Sequence, residues 1–356
     1  MQGREKERGV DITGDQVALC VLYIDMGTTN TRVWLTSGDR IIARISEKIG
    51  IRDATCDGGQ GIRKGLEELI RKACREAEGT AVPCDSPGYI VATGMIGSNL
   101  GLAEVPHIQA PAGISDLAAA AQWRHFPDIS DLPFLLIPGV RSGPACPDAT
   151  SINQVDIMRG EETVCAGLVT LGTMALPAVV LNLGSHWKAI QLDGNGRIRA
   201  SVTSLSGELI HAVQLHTIIA GSVLRERPAR LSPEWIEAGM AEHRQSGLAR
   251  ALFCARLLDL THQGSPEDRL AFVVGAFIAS DLDALLARGL IGTHTQVALV
   301  GHLAISEAWQ TALSRVNIQA TLVSQQQAEM ALLKAMQRIL LARCLQANAS
   351  QKGFDE

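Results

Sequence analysis

Aromatic side chains are scarce in this chain: they form 4% of its 356 residues, and only two are tyrosines. That leaves little material for stacking platforms of the kind that hold bases or sugar rings. Basic charge is not in excess either. The formal net charge is −5, and the Lys and Arg residues are dispersed, so no basic face is on offer to nucleic acid. Long hydrophobic runs are missing too. None reaches the ~18 residues that cross a bilayer, and the best stretch, Met174 to Leu183, is interrupted by Pro177. No membrane association is expected. The eight cysteines show no C-x-x-C spacing, and the nine histidines build no HExxH or zinc-type cluster. A chain this long needs no disulfide framework, so the expectation is unbridged cysteines and a reducing cytoplasm. The segment 1–16 is polar and mixed in charge, without the apolar centre of a signal peptide, and is expected to be a disordered leader.

What the chain does have is apolar residues, at 46%, which exclude intrinsic disorder. It also has 34 glycines against 13 prolines, which suggests turns where backbone comes close to something else. The length suits two domains. Residues 17–24 form an apolar run ending at Asp25, a strand buried on both faces. A Gly/Thr loop follows, then strands over 32–36 and 40–45, a helix over 62–77 and a strand over 89–92. The same order returns with a buried strand over 178–181, a Gly/Ser loop, strands over 188–192 and 197–203, and a helix opening near Ser206. The matching loops, D-x-G-T against N-x-G-S, make internal duplication a better account than chance. Beyond them, helices are expected over 238–260, 267–288, 306–315 and 327–342, with strands over 296–300 and 318–323.

Gly27, Thr28 and Thr29 at a hairpin tip offer successive backbone N–H groups and two hydroxyls, a nest for phosphate oxygens. Asp25 would be repelled by phosphate but can hold Mg²⁺, so it is the candidate metal ligand and a candidate catalytic residue. The loop Gly184-Ser185-His186 supplies a second nest, with Lys188 as a point charge. Two such loops suit ATP held in a cleft between domains. A third segment, Met158-Arg159-Gly160-Glu161-Glu162-Thr163, opens a helix. Two acids there suit the helix dipole as caps. Alternatively, Glu161 or Glu162 is the base that accepts a proton from a substrate hydroxyl, with Arg159 forking onto a substrate carboxylate. Gly94 and Ser98, in Thr93-Gly94-Met95-Ile96-Gly97-Ser98-Asn99, and His186 are candidate substrate contacts.

Asp25-x-Gly27-Thr28-Thr29-x-x-Arg32, the acidic loop and the second phosphate hairpin together resemble the actin-like sugar kinase superfamily. With the TGMIGS and MRGEET segments, and Ser206-Gly207-Glu208-Leu209, the chain more closely resembles the 2-dehydro-3-deoxygalactonokinase family over about residues 20–335. That resemblance implies an α/β, two-domain actin-like ATPase fold, duplicated and ribonuclease H-like, with an interdomain cleft. It implies ATP- and Mg²⁺-dependent phosphorylation of 2-dehydro-3-deoxy-D-galactonate at its terminal hydroxyl, with Glu161 favoured over Glu162 as base. The alternatives are a kinase of another sugar or polyol, or a degenerate sugar-acid sensor. The expected domains are 17–160 and 161–345, followed by a polar tail over 346–356. The expected partners are a small sugar acid and ATP, with a homodimer left open. Departures from the family pattern fall at Trp187, His302 and Gln325-Gln326.

Overall fold

The run Val21-Leu22-Tyr23-Ile24 has no polar face to offer water, and the chain places it inside a sheet, as strand β1 (Cys20–Met26). The computed structural model describes residues 20–51, 60–78 and 87–352, with side chains to residue 347. The leader expected over 1–16 lies outside the described residues, as do Cys56 and Cys84. By compactness the described chain divides into two units. One comprises the described residues up to Arg141, Met158–Gly167 and those from Leu332 onward; the other comprises Ser142–Ile157 and Leu168–Ala331. The division is discontinuous in sequence.

In the first unit β1 is followed by β2 (Thr31–Ser37), β3 (Arg40–Glu47), α1 (Gln60–Glu78), β4 (Pro87–Gly94), β5 (Ile108–Gln109), α2 (Ile114–Ala120), β6 (Gln122–Phe126) and β7 (Ser130–Leu136). The sheet runs β3-β2-β1-β4-β7-β6. β1 pairs antiparallel with β2 and parallel with β4, so the hairpin loop after β1 and the end of β4 come side by side. Ile62, Leu66, Leu69, Ile70 and Ala73 of α1 are buried with the core residues Leu22, Ile24, Val33 and Ile90. Short β8 (Val140–Ser142) and β9 (Asp156–Met158) follow, and then α3 (Glu161–Thr170).

The second unit contains β10 (Ala178–Leu183), β11 (Trp187–Leu192), β12 (Ile198–Ser204), α4 (Ser206–His216), α5 (Pro233–Ser246), α6 (Leu248–Leu260), α7 (Pro266–Ala287), β13 (Gln296–Gly301), α8 (Leu303–Arg315) and β14 (Ala320–Val323). Its sheet runs β12-β11-β10-β13-β14, with the same antiparallel and parallel pairings as β3-β2-β1-β4-β7. The α/β duplication expected from the two loops is present. The last helix, α9 (Gln325–Lys352), is longer than expected and takes in part of the segment expected to be a polar tail.

Three further expectations are corrected. The helix expected over 238–260 is two, α5 and α6, because Gly247 between them sits at φ +83°, outside helical space. Helix α7 is long and apolar enough to cross a bilayer by composition, but 67% of its most apolar window is buried inside the protein, so it serves as a core helix. Cys20 is disulfide-bonded, so the cysteines are not all unbridged, although Cys74, Cys146, Cys165, Cys254 and Cys344 are free.

Candidate active site

The first hairpin loop is short because β1 and β2 stay paired up to Met26 and Thr31. Within it, Gly27 N–H donates to Asn30 O at 2.8 Å, which closes the turn and takes that donor out of the expected nest. Thr28 is half-buried and Thr29 exposed at the tip. Behind them runs Gly50, where a Cβ would lie 2.5 Å from the Thr28 carbonyl and the Thr29 nitrogen. Only glycine lets the backbone pass there. Asp25 stands opposite Arg32 across the ladder, and their side chains pair at 2.8 Å, Arg32 Nη1 donating to Asp25 Oδ2. The other oxygen faces Gly94, where a Cβ would lie 3.3 Å from Asp25 Oδ1 and 2.3 Å from Met26 O. Gly94 also has φ +82° and ψ −153°, a region open essentially to glycine alone.

The acidic segment packs onto the same strand ends. Gly160, at φ +109°, lies against Gly94, with a Cβ position 3.4 Å from the Gly94 Cα. Glu161 is half-buried, and its Oε2 accepts from Arg159 N–H at 3.1 Å. Glu162 is fully buried, and both its oxygens accept from Gly160 N–H, at 2.9 and 2.7 Å. Burial, with the charge of Glu161 second, pushes its pKa up to about 7. Arg159 Nη2 donates to Val105 O at 2.9 Å and lies 3.3 Å from His107 Nδ1. Its Nη1 is enclosed beside Gly97 without a hydrogen-bond partner among the described residues. Burial lowers the Arg159 pKa from its ordinary value. Ser98, offered as a substrate contact, is buried, and its hydroxyl donates to Met95 O at 2.7 Å within its own turn.

In the second unit, Gly184, Ser185 and His186 form the hairpin loop between β10 and β11, with Gly184 and Ser185 exposed. The first turn of α4 backs it. A Cβ on Gly207 would lie 2.4 Å from Gly184 O and 2.7 Å from Ser185 O. His186 Nε2 lies 3.1 Å from Glu208 Oε2. Trp187 turns inward, packing edge-on against Trp309 at 5.5 Å. Lys188 is only 6% exposed, and its ammonium donates to Ile157 O at 2.8 Å. Of the departures noted in the sequence, His302 is the N-cap residue of α8, while Gln325 and Gln326 are exposed at the start of α9.

The segments that the geometry gathers at the β1 and β4 ends fall within one continuous family match. The model of 2-keto-3-deoxy-galactonokinase covers residues 25–336. The chain belongs to this family. It is therefore a carbohydrate kinase, a phosphotransferase with an alcohol acceptor. A Rhizobium meliloti protein named probable 2-dehydro-3-deoxygalactonokinase DgoK1 is 26% identical over 321 residues, covering 89% of this chain and 96% of that one. The 2-dehydro-3-deoxygalactonokinase of Escherichia coli is 25% identical over 304 residues, covering 85% and 92%. A solved Sinorhizobium meliloti structure, provisionally assigned the same activity, shares the fold with a TM-score of 0.70 at 22% identity, covering 89% and 96%.

Sequence reasoning missed three residues that shape the site. Gly50 supports the first loop from a distant turn, and no motif marks it. His107 sits beside Arg159 because Gly139 leaves room for it, a Cβ there falling 2.6 Å from the His107 ring. Thr93 stands next to Gly94, and its hydroxyl lies 2.7 Å from that of Thr163.

Proposed function

We propose that the chain transfers the γ-phosphoryl group of ATP to the terminal hydroxyl of 2-dehydro-3-deoxy-D-galactonate. The observation that carries this reading is the convergence, within one unit, of Asp25, Gly94 and the Arg159-Gly160-Glu161 turn. Glu161 is the base. It is half-buried, so solvent reaches it, whereas Glu162 is sealed from solvent with both oxygens engaged. The hydroxyl proton passes to Glu161 as the substrate oxygen bonds to the γ-phosphorus and the bond to the β,γ-bridging oxygen breaks, releasing ADP.

Thr28, Thr29, Gly184 and Ser185 hold phosphate oxygens through hydroxyls and backbone N–H groups, with Gly27 shaping the first turn. Among the described residues no group of three or more His, Cys, Asp or Glu could hold a metal ion. One carboxylate, Asp25, fits the way Mg²⁺ binds through one or two carboxylates, waters and substrate phosphates. Mg²⁺ would supply neutralisation of the charge on the transferring phosphate. Arg159 has no ion-pair partner among the described residues and is the cation for the substrate carboxylate, with His107 beside it. His186 is a contact for substrate hydroxyls. The proposed compartment is the cytoplasm, as the source of ATP.

A coupled assay of ADP release across 2-keto-3-deoxy sugar acids tests the reading. The expected result is ADP formation that depends on the six-carbon acid. Folded protein that releases none at millimolar ATP sinks it. If neutral sugars or polyols are phosphorylated instead, the substrate assignment fails while the kinase stands.

A further inference from the structure

We propose that Thr93, Thr163 and Glu162 form a buried positioning chain that holds Glu161 and Arg159 in their working places; this rests on Glu161 being the base. All three side chains are fully buried. The Thr163 hydroxyl donates to Glu162 Oε1 at 3.1 Å, and a hydroxyl has one proton to give. The 2.7 Å contact between Thr93 and Thr163 is therefore donated by Thr93. With Glu162 ionised, donation runs in one direction, from Thr93 through Thr163 to the carboxylate, which also accepts the Gly160 N–H.

The chain joins two elements that the chemistry needs in register. Thr93 lies opposite Asp25 in the β1–β4 pairing and precedes Gly94. Thr163 lies in the first turn of α3, two residues past Glu161. Glu162 fixes Gly160 in its left-handed conformation, while Glu161 draws in the Arg159 N–H.

A simple helix cap would not need this arrangement. An exposed Ser, Thr or Asp caps a helix without burying charge, whereas a buried carboxylate without an ion pair is costly to desolvate. Such a group is retained where the geometry it imposes is wanted. Glu162 thus acts through Gly160 on its neighbours and touches no reacting atom.

The experiment compares Thr163→Val, Thr163→Ser and Thr93→Val in the full chain, measuring kcat, KM for the sugar acid, melting temperature and hydrogen exchange at the Gly160 amide. Valine keeps the shape and removes the hydroxyl. The expected result is a fall in kcat of roughly tenfold or more with KM changed less than about threefold. Faster Gly160 exchange should accompany it while core amides stay protected, and Thr163→Ser should restore both. Should Thr163→Val not fold, Thr93→Val, which breaks the chain one link further from Glu162, decides in its place. Unchanged kcat and unchanged Gly160 exchange in the valine variants overturn the proposal, as does serine behaving like valine. A wild-type protein with no sugar-acid turnover defeats the substrate assignment instead, and the exchange data then judge the positioning chain alone.

Discussion

Replacing Glu162 by glutamine isolates the energetic consequence of burying a carboxyl group in the core of α3's first turn. The group has an ordinary pKa of 4.5 in the unfolded chain and about 7 in the folded protein, chiefly through desolvation. Between those values the folded state binds the proton and the unfolded state does not, so stability falls as pH rises. The loss begins above pH 4.5 and is complete above pH 7. At about 1.4 kcal/mol for each pH step of displacement, the full effect is about 3 kcal/mol, and about 2 to 3 kcal/mol of it falls between pH 5 and pH 8. Glutamine stays neutral throughout and lacks this contribution. It keeps one acceptor for Gly160 N–H but turns an amide toward the second contact, so a pH-independent offset is expected as well. The assay is urea unfolding of both proteins at pH 5 and pH 8, followed through the transition of the first unit. The stability of wild type relative to Glu162→Gln should drop by about 2 to 3 kcal/mol on going to pH 8. A pH-independent difference, or one that moves the other way, refutes the argument.

Gly94→Ala puts a Cβ 2.3 Å from Met26 O in a backbone region open essentially to glycine. It should destabilise the protein by about 3 kcal/mol or more in chemical denaturation, with activity lost in whatever still folds. Asp25→Asn should lower kcat by on the order of 100-fold or more, read in the coupled ADP assay, while the melting temperature changes by only a few degrees. Gly207→Ala pushes on the carbonyls of Gly184 and Ser185 and should raise KM for ATP more than KM for the sugar acid, measured by varying each in turn.

The duplicated architecture could be read from the chain because it rests on local signals. Apolar runs such as Val179-Val180-Leu181 mark strands buried on both faces, and the Gly/hydroxyl loops that follow mark the hairpins. The site motifs around Asp25, Gly94 and Arg159 were visible for the same reason. The roles inside them were less legible. Glu161 and Glu162 look alike in sequence and differ in solvent exposure, which tertiary packing decides. Lys188 follows a phosphate loop in sequence, yet the alternation of β11 carries its side chain to Ile157 O. Gly50 and His107 act through contacts across the fold, which no local pattern encodes. The break at Gly247 was missed because apolar spacing continues through it and only its backbone conformation stops the helix.

The discontinuous make-up of the first unit sets an order of events during synthesis. From Leu332 onward, helix α9 belongs to the unit whose strands are made far earlier: Lys334 Nζ bonds Asp39 Oδ1 at 2.6 Å, and Arg343 Nη1 donates to Ala119 O at 3.3 Å. Leu332, Ala335, Met336 and Ile339 of that segment are buried. About 190 residues separate Arg141 from Leu332. At roughly 5–20 residues per second, the early sheet waits roughly 10–40 seconds on the ribosome for its last helix. Most of the second unit, Leu168–Ala331, has emerged before that helix. The unit that is translated first is thus the unit that is completed last.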